Sequence, residues 1–298
     1  MKKVFVILAV AASAMVLFSC DKTKKEPIKY DTPIYNDMAV KYDVDAVSEV
    51  TSGISSFETT NTGLYVIEEV DGRVISGEFE TNSMDPDNHT AVLFLEGFGS
   101  VKIRDDQFPT FSKADNTVIL EFKKDGESLP VIVTAEAIPS TSSASEAVMG
   151  DLCRTWKVTA TELVISEYKI SKTFEGVCDI PAILKYLEGK ITGFKADKDY
   201  AGYVVKDLTL TDKSIIVRFN GADAFTAPMK IDANLGFEYK VSGAQVGNPI
   251  FNGEAKGRIA FDDMNKPIVS IGAVIKDNGG KEYNGSVKFY LEEVKPAK

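Results

Sequence analysis

The residues that could perform chemistry in this chain are a single histidine and many carboxylates. His89 is the only histidine, so any Ser–His–Asp or Cys–His arrangement depends on it, and a multi-histidine metal site is excluded. It lies in a loop-like segment, where an exposed histidine is the simpler interpretation. Asp85 and Asp87 alternate there as in Ca²⁺ loops, but the glycine and distal glutamate of an EF-hand are missing. We therefore predict no catalytic residue and no metal site.

The 44 acidic residues leave one catalytic hypothesis open. Glycoside hydrolysis needs two carboxyl groups at a suitable separation, and only the folded geometry sets that separation. With so many acidic residues, accidental pairs are expected, so a carboxylate-based hydrolase is the weakest of our hypotheses. No phosphate-binding loop, dinucleotide-binding fingerprint or nucleophile elbow occurs. We therefore predict no cofactor.

The N-terminal segment, residues 1–19, has the order of a secretory signal peptide. Lys2 and Lys3 form a basic start, and residues 4–18 form an uncharged, largely apolar run. Such a segment is removed from the mature protein. Its loss lowers the formal net charge from −10 to −12. A chain this acidic is repelled by phosphate backbones, so we predict that nucleic acid is not a partner.

The end of this segment resembles the bacterial lipobox, with Leu17, Phe18 and Ser19 before Cys20. The resemblance implies that the Cys20 thiol carries a diacylglyceryl group and becomes the first mature residue. Polar residues then predict a tether over residues 20–36. No later apolar stretch is long enough to span a membrane, so the acyl chains are the expected membrane contact.

The two remaining cysteines, Cys153 and Cys178, form an even number in an exported chain. An oxidising compartment favours a disulfide between them. The alternative is two buried thiols that pack as small apolar groups.

Strand patterns dominate the mature chain. Apolar and polar residues alternate in many short segments, and Asp71-Gly72 is a typical hairpin turn. A Ser-rich linker over residues 140–149 separates an N-terminal β domain, residues 37–139, from a C-terminal one, residues 150–298. Short connections without a β–α–β rhythm predict an all-β protein of two antiparallel domains, each a sandwich or a barrel.

One short helix is predicted in the second domain. Asp179 can cap it, Pro181 suits its first turn and Gly189 can end it. Its apolar face is formed by Ile183, Leu184 and Leu187. Such a helix covers an open end or edge of a sheet.

Four aromatic residues are candidates for ligand contact: Trp156, Tyr168, Tyr200 and Tyr203. Trp156 lies on the first strand of the second domain, and the tyrosines lie near strand ends. Aromatic rings beside loops can stack on sugar rings or line an apolar pocket. The alternative is ordinary core packing, which also favours aromatic residues in strands.

The second domain resembles lipocalin-like domains of Bacteroidetes lipoproteins. The resemblance rests on residues 152–158 around Trp156 and on the closing strand, residues 288–294, although Arg154 stands where those domains have a glycine. It implies a small antiparallel barrel with a ligand cavity and no assigned ligand. In that group an acidic run after the lipidated cysteine accompanies surface export. Residues 21–25 are mostly basic, so the resemblance favours the periplasmic face of the outer membrane.

Together these features predict a lipid-anchored, non-enzymatic binding protein of the cell envelope. Its ligand would be a small apolar molecule inside a barrel or a glycan at strand-end loops. The alternative is a structural or assembly partner of another envelope protein. A hollow barrel favours the first function and an exposed apolar patch favours the second.

Overall fold

A computed structural model of the chain describes residues 39–85, 90–104, 117–196, 200–240 and 254–294. Within these ranges, seventeen β-strands and three short α-helices form two antiparallel units. The predicted all-β class with two antiparallel units is confirmed, and both units are barrels. The predicted signal peptide, Cys20, the tether and His89 lie outside the described residues. No helix within the described ranges is both long and apolar enough to cross a membrane.

The first barrel consists of eight strands that pair in chain order and close when β1 pairs with β8. Alternate side chains point inward and form one buried cluster with Tyr42, Phe57 and Phe122 among its largest members. The strands are β1 (Lys41–Val44), β2 (Ile54–Thr59), β3 (Leu64–Glu69), β4 (Val74–Asp85), β5 (Thr90–Leu95), β6 (Gly99–Arg104), β7 (Thr117–Lys124) and β8 (Val131–Ala137).

Helix α1 (Ala46–Ser52) lies at one end of the first barrel, which we call the α1 end. Asp45 caps it by accepting hydrogen bonds from two backbone N–H groups, and Gly53 ends it in the left-handed conformation. Because the strands are antiparallel, the connections at 70–73, 96–98 and 125–130 lie at the same end. Residues 39–54 therefore contain a strand followed by a helix.

The second barrel closes through β9, which pairs with β17 along one edge and with β11 at the start of its other edge. β10 pairs with the remainder of that second edge. The strands are β9 (Thr155–Ile165), β10 (Ile170–Glu175), β11 (Val205–Leu210), β12 (Ser214–Phe219), β13 (Phe225–Ile231), β14 (Gly236–Lys240), β15 (Glu254–Phe261), β16 (Pro267–Lys276) and β17 (Glu282–Glu293).

Helix α3 (Ile180–Lys190) follows β10 and packs its apolar face into the second barrel's core. The Asp179 side chain accepts a hydrogen bond from the Ala182 N–H at 2.9 Å, so the predicted cap is confirmed. The predicted end at Gly189 is wrong. The helix continues to Lys190 and ends where Ile191 turns to an extended conformation and buries its side chain.

Helix α2 (Glu146–Leu152) begins inside the predicted linker, with Ser145 as its cap. The preceding serines are hydrogen-bonded to the second barrel. The Ser140 and Ser142 hydroxyls donate to the Asp212 carbonyl, and the Ser143 N–H donates to the Ile231 carbonyl. The linker therefore lies along the start of β12 and the end of β13. The domain boundary at residues 140–149 stays a prediction.

Side chains fill the interior of the second barrel. The inward positions and the apolar face of α3 form one continuous cluster of buried residues, which includes Trp156, Phe237, Tyr283 and Phe289. The same is true of the first barrel. Packed interiors favour ligand contact on the outer surface over contact inside a barrel.

Candidate functional site

The two barrels contact each other side by side. Val66 and Val74 on the outer face of the first barrel pack against Ile216 of the second, and Ala224 borders this cluster. All three core members are buried, although each points away from the interior of its own barrel. Outward apolar residues therefore join the barrels.

A buried ion pair supports the same interface. Lys41 and Glu58 of the first barrel are only 5% and 3% exposed, and their charged atoms lie 3.9 Å apart. Both side chains form hydrogen bonds with the β11–β12 turn of the second barrel. The Lys41 ammonium donates to Ser214 Oγ at 3.0 Å, and a Glu58 oxygen accepts from the Thr211 hydroxyl at 2.9 Å. Each buried charge thus has a partner in the other barrel.

Four threonine hydroxyls form a hydrogen-bonded chain beside this pair. Thr60 and Thr62 lie 2.9 Å apart, Thr62 and Thr155 lie 3.0 Å apart, and Thr155 and Thr209 lie 2.9 Å apart. Thr60 and Thr62 belong to the first barrel, and Thr155 and Thr209 belong to the second. The chain and the ion pair together fix the orientation of the barrels.

A cleft of about 380 Å³ opens beside this contact. Its first wall is the segment 73–77 with Glu96, and its second wall comes from β11, β12 and the loop after β12. The charged side chains that line it are Arg73, Glu96, Lys206, Arg218 and Asp223. Ligand sites occur preferentially at domain interfaces, so this cleft is the candidate site.

Two of the cleft's three cations are neutralised by neighbouring carboxylates. Arg218 forms a bidentate pair with Asp207, with both N–O distances at 2.7 Å. Arg73 pairs with Glu69 at 2.8 Å. Lys206 is the extra residue of a β-bulge in β11, which turns its exposed side chain toward the cleft. The cleft therefore offers many hydrogen-bonding groups without a concentration of positive charge.

Three aromatic rings extend the cleft along the second barrel. The Tyr200 and Tyr203 rings lie 5.4 Å apart, and Tyr203 lies 5.2 Å from the ring of Phe219, which lines the cleft. The loop that holds the tyrosines is tied closely to the loop after β12. A Cβ at Gly202 would lie only 2.5 Å from the carbonyl oxygen of Gly221. The two loops therefore lie in close contact beside the cleft.

The other two aromatic candidates lie elsewhere. Trp156 is 6% exposed, belongs to the core and donates its indole N–H to the Leu152 carbonyl. Tyr168 packs against Tyr283, and its hydroxyl accepts a hydrogen bond from Lys281 at 2.7 Å. Of the four predicted ligand contacts, the structure brings together only Tyr200 and Tyr203.

The disulfide predicted between Cys153 and Cys178 is not formed, and both are free thiols. The Cys178 thiol lies against Thr161 in the middle of β9. Cys153 lies two residues before β9 begins at Thr155. Thr161 is six residue steps along the strand from Thr155, about 20 Å at the usual rise, whereas a disulfide needs Cα atoms within about 7 Å. Burial raises the pKa of both thiols to about 12.

The carboxylates give little support to the hydrolase hypothesis. Glu58 and Glu68 lie on neighbouring strands, and burial raises the pKa of Glu68, although Lys41 and a hydrogen bond with Ser56 act the other way. Glu58, however, is already engaged by Lys41 and Thr211. Within the described part of the chain, no cluster of three or more His, Cys, Asp or Glu side chains is placed to hold a metal.

Two further grooves lie on the second barrel. One of about 470 Å³ lies between the linker and β13, where Ile138, Pro139 and Met229 make it largely apolar. Another of about 350 Å³ lies on the outer face of β9 and β17. Neither has an aromatic series of the kind that continues the cleft, so we place the candidate site between the barrels.

Comparisons with known proteins identify no family. No protein-family model and no curated protein matches the chain. Among solved structures, the chain is similar to a double mutant of the vaccine antigen transferrin binding protein B from Haemophilus parasuis, at 14% identity and a TM-score of 0.25. The match covers 86% of this chain and 45% of that protein, so the chain spans less than half of its length. A protein of unknown function from Nostoc punctiforme matches at 10% identity over 90% of this chain and 100% of that one, also with a TM-score of 0.25. At these TM-scores neither likeness bears on function.

Proposed function

We propose that the chain is a binding protein of the cell envelope that holds a neutral saccharide in the cleft between its barrels. The observation that carries this proposal is the series of ring contacts from Tyr200 through Tyr203 to Phe219, a core residue that also lines the polar cleft. Sugar rings present apolar C–H faces that pack on aromatic rings, and hydroxyl edges that bond to planar polar side chains.

The charges of the cleft favour a neutral ligand. Arg73 and Arg218 are already paired, so the remaining charged lining residues are one cation, Lys206, and two carboxylates, Glu96 and Asp223. A phosphate or a polyanion would need a surplus of cations that this cleft does not offer. Hydroxyl groups can instead donate to the carboxylates and accept from the lysine.

The predicted lipid anchor at Cys20 completes the proposal. It would hold the binding protein at the outer membrane. The basic residues 21–25, interpreted through the resemblance, favour the periplasmic side of that membrane. An apolar ligand inside a barrel is less well supported, because side chains fill both interiors.

Affinity electrophoresis through gels that contain a soluble neutral polysaccharide tests this function. A Tyr203→Ala variant should lose retardation because it removes the middle ring of the series. Tyr168→Ala is the matched control, since Tyr168 is also a half-buried tyrosine of the second barrel but lies away from the cleft. Gels that contain an acidic polysaccharide should retard the protein less.

The proposal fails if a panel of neutral polysaccharides of different linkage leaves the wild type unretarded. It also fails if both variants migrate like the wild type in a gel that retards it, because the saccharide would then bind outside the cleft.

A further inference from the structure

The α1 end of the first barrel carries an exposed apolar patch that the saccharide cleft does not use. Large apolar side chains in soluble proteins are usually covered, and a group of them in one place marks a contact surface. The five residues of this patch, with their exposed fractions, are Val47 (76%), Val50 (87%), Val70 (58%), Leu129 (76%) and Ile132 (56%).

The backbone brings these residues to one place. Val47 and Val50 are three residues apart on α1 and share a face. The helix lies against β8, where the Asp45 N–H donates to the Thr134 carbonyl and the Thr134 N–H donates to the Ser48 hydroxyl. Ile132 follows on the same outward face of β8.

The other two patch residues lie on the neighbouring connections of the same end. Val70 donates its N–H to the carbonyl of Gly53, the residue that caps α1. Leu129 lies on the β7–β8 connection, two residues before β8. The cleft borders β4, which lies across the closed barrel from β8. The patch residues on α1 and β8 therefore lie away from the cleft, whereas Arg73 and Glu96 at the same end of the barrel also line the cleft.

An acidic rim surrounds the patch. Seven carboxylates and three cations lie at or next to the four connections of the α1 end, and Arg73 is already paired with Glu69. The carboxylates are Asp45, Glu49, Glu69, Asp71, Glu96, Asp125 and Glu127, and the cations are Arg73, Lys123 and Lys124. Such a rim repels an anionic lipid surface and attracts a basic protein surface.

We infer that this patch docks a protein partner that presents an apolar face bordered by Lys and Arg side chains. Val40, the second described residue, accepts a hydrogen bond from the Thr59 N–H at the opposite end of the barrel from α1. The patch therefore lies at the end of the barrel away from the first described residues.

Fluorescence anisotropy with two labelled helical peptides tests this inference on the mature protein without its lipid. The probes share one leucine face and differ only in a polar face of lysines or of glutamates. The lysine peptide should bind, and the double variant Val47→Ser with Val50→Ser should weaken its binding at least about tenfold. The matched control changes Met264 and Val274, which are exposed on the second barrel, to serine and should leave binding unchanged.

A charge variant keeps the test informative if the serine variant folds poorly. The double variant Glu49→Lys with Glu127→Lys should weaken binding of the lysine peptide and permit the glutamate peptide to bind. Equal binding of the two peptides to the wild type, or unchanged binding in the patch variants, would overturn the inference.

Two other occupants would also overturn it. Sedimentation with vesicles of anionic lipid that depends on Val47 and Val50 would identify the patch as a membrane contact. Self-association of the wild type that the same two substitutions abolish, measured by analytical ultracentrifugation, would identify a second copy of the chain.

Discussion

Replacing Lys41 by methionine should destabilise the second barrel although Lys41 belongs to the first. The substitution keeps the side chain's length and leaves the Glu58 carboxylate buried at the interface without its cation. Removal of one partner from a buried pair costs about 3–5 kcal/mol. Glu58 keeps its hydrogen bond from Thr211, so we expect a loss near the lower end, about 3 kcal/mol.

The assay is urea unfolding followed by the fluorescence of Trp156, the only tryptophan of the chain. Because Trp156 belongs to the core of the second barrel, its signal reports whether the barrels are coupled. The double variant Lys41→Met with Glu58→Leu removes both charges and should return to within about 1 kcal/mol of the wild type. The exposed Lys123 gives the control, and its change to methionine should alter stability by less than about 0.5 kcal/mol.

If Lys41→Met leaves the Trp156 unfolding transition in urea unchanged, the reasoning is refuted. A coupled interface must transmit the loss of stability to the second barrel. A double variant whose loss of stability equals or exceeds the sum of the two single losses would refute the reasoning too, since the two charges would then not be paired.

Three further predictions concern Gly202, the two buried thiols and the lipid anchor. Gly202→Ala should cost stability and weaken saccharide retardation in gels, because its Cβ would meet the Gly221 carbonyl; an unchanged variant would mean that the two loops are not in contact. Cys153 and Cys178 should resist a thiol reagent at neutral pH, because burial raises the pKa of both to about 12 and leaves the thiols protonated. In denaturant without reductant, both should react, whereas a native disulfide would leave none. Cys20→Ser should remove the lipid by mass spectrometry and release the protein from membranes, and a variant that still sediments with them would contradict lipid anchoring.

The sequence could predict the strands because their information is local. Alternation in segments such as β14 and β17 reports which face is buried, and turn residues mark where each strand ends. Three elements lack such a pattern. β2 and β10 have weak alternation, since four consecutive positions of β2 are buried and most of β10 is exposed. Helix α2 is short and begins inside a Ser-rich segment.

The interface could not be predicted from the sequence for a physical reason. An outward-facing residue on a strand has the same pattern whether it meets water or a second barrel. Lys41 and Glu58 therefore look like ordinary surface charges until the β11–β12 turn is placed against them.

The candidate site was predicted in part. The sequence predicts Tyr200 and Tyr203 because aromatic rings beside loops can stack on sugar rings or line a pocket. Phe219 is a core residue of β12 that also lines the cleft, and the charged groups of the cleft are spread from Arg73 to Asp223. Only the docking of the two barrels brings these residues together.

Amide hydrogen exchange in the presence of a neutral oligosaccharide that the gels identify tests the saccharide site most directly. We expect slower exchange in segments 73–77, 200–206 and 219–224, which border the cleft, and unchanged exchange along β13 beside the linker groove. Protection confined to the strands of one barrel or to the linker groove, with these three segments unaffected, would contradict a saccharide site between the barrels.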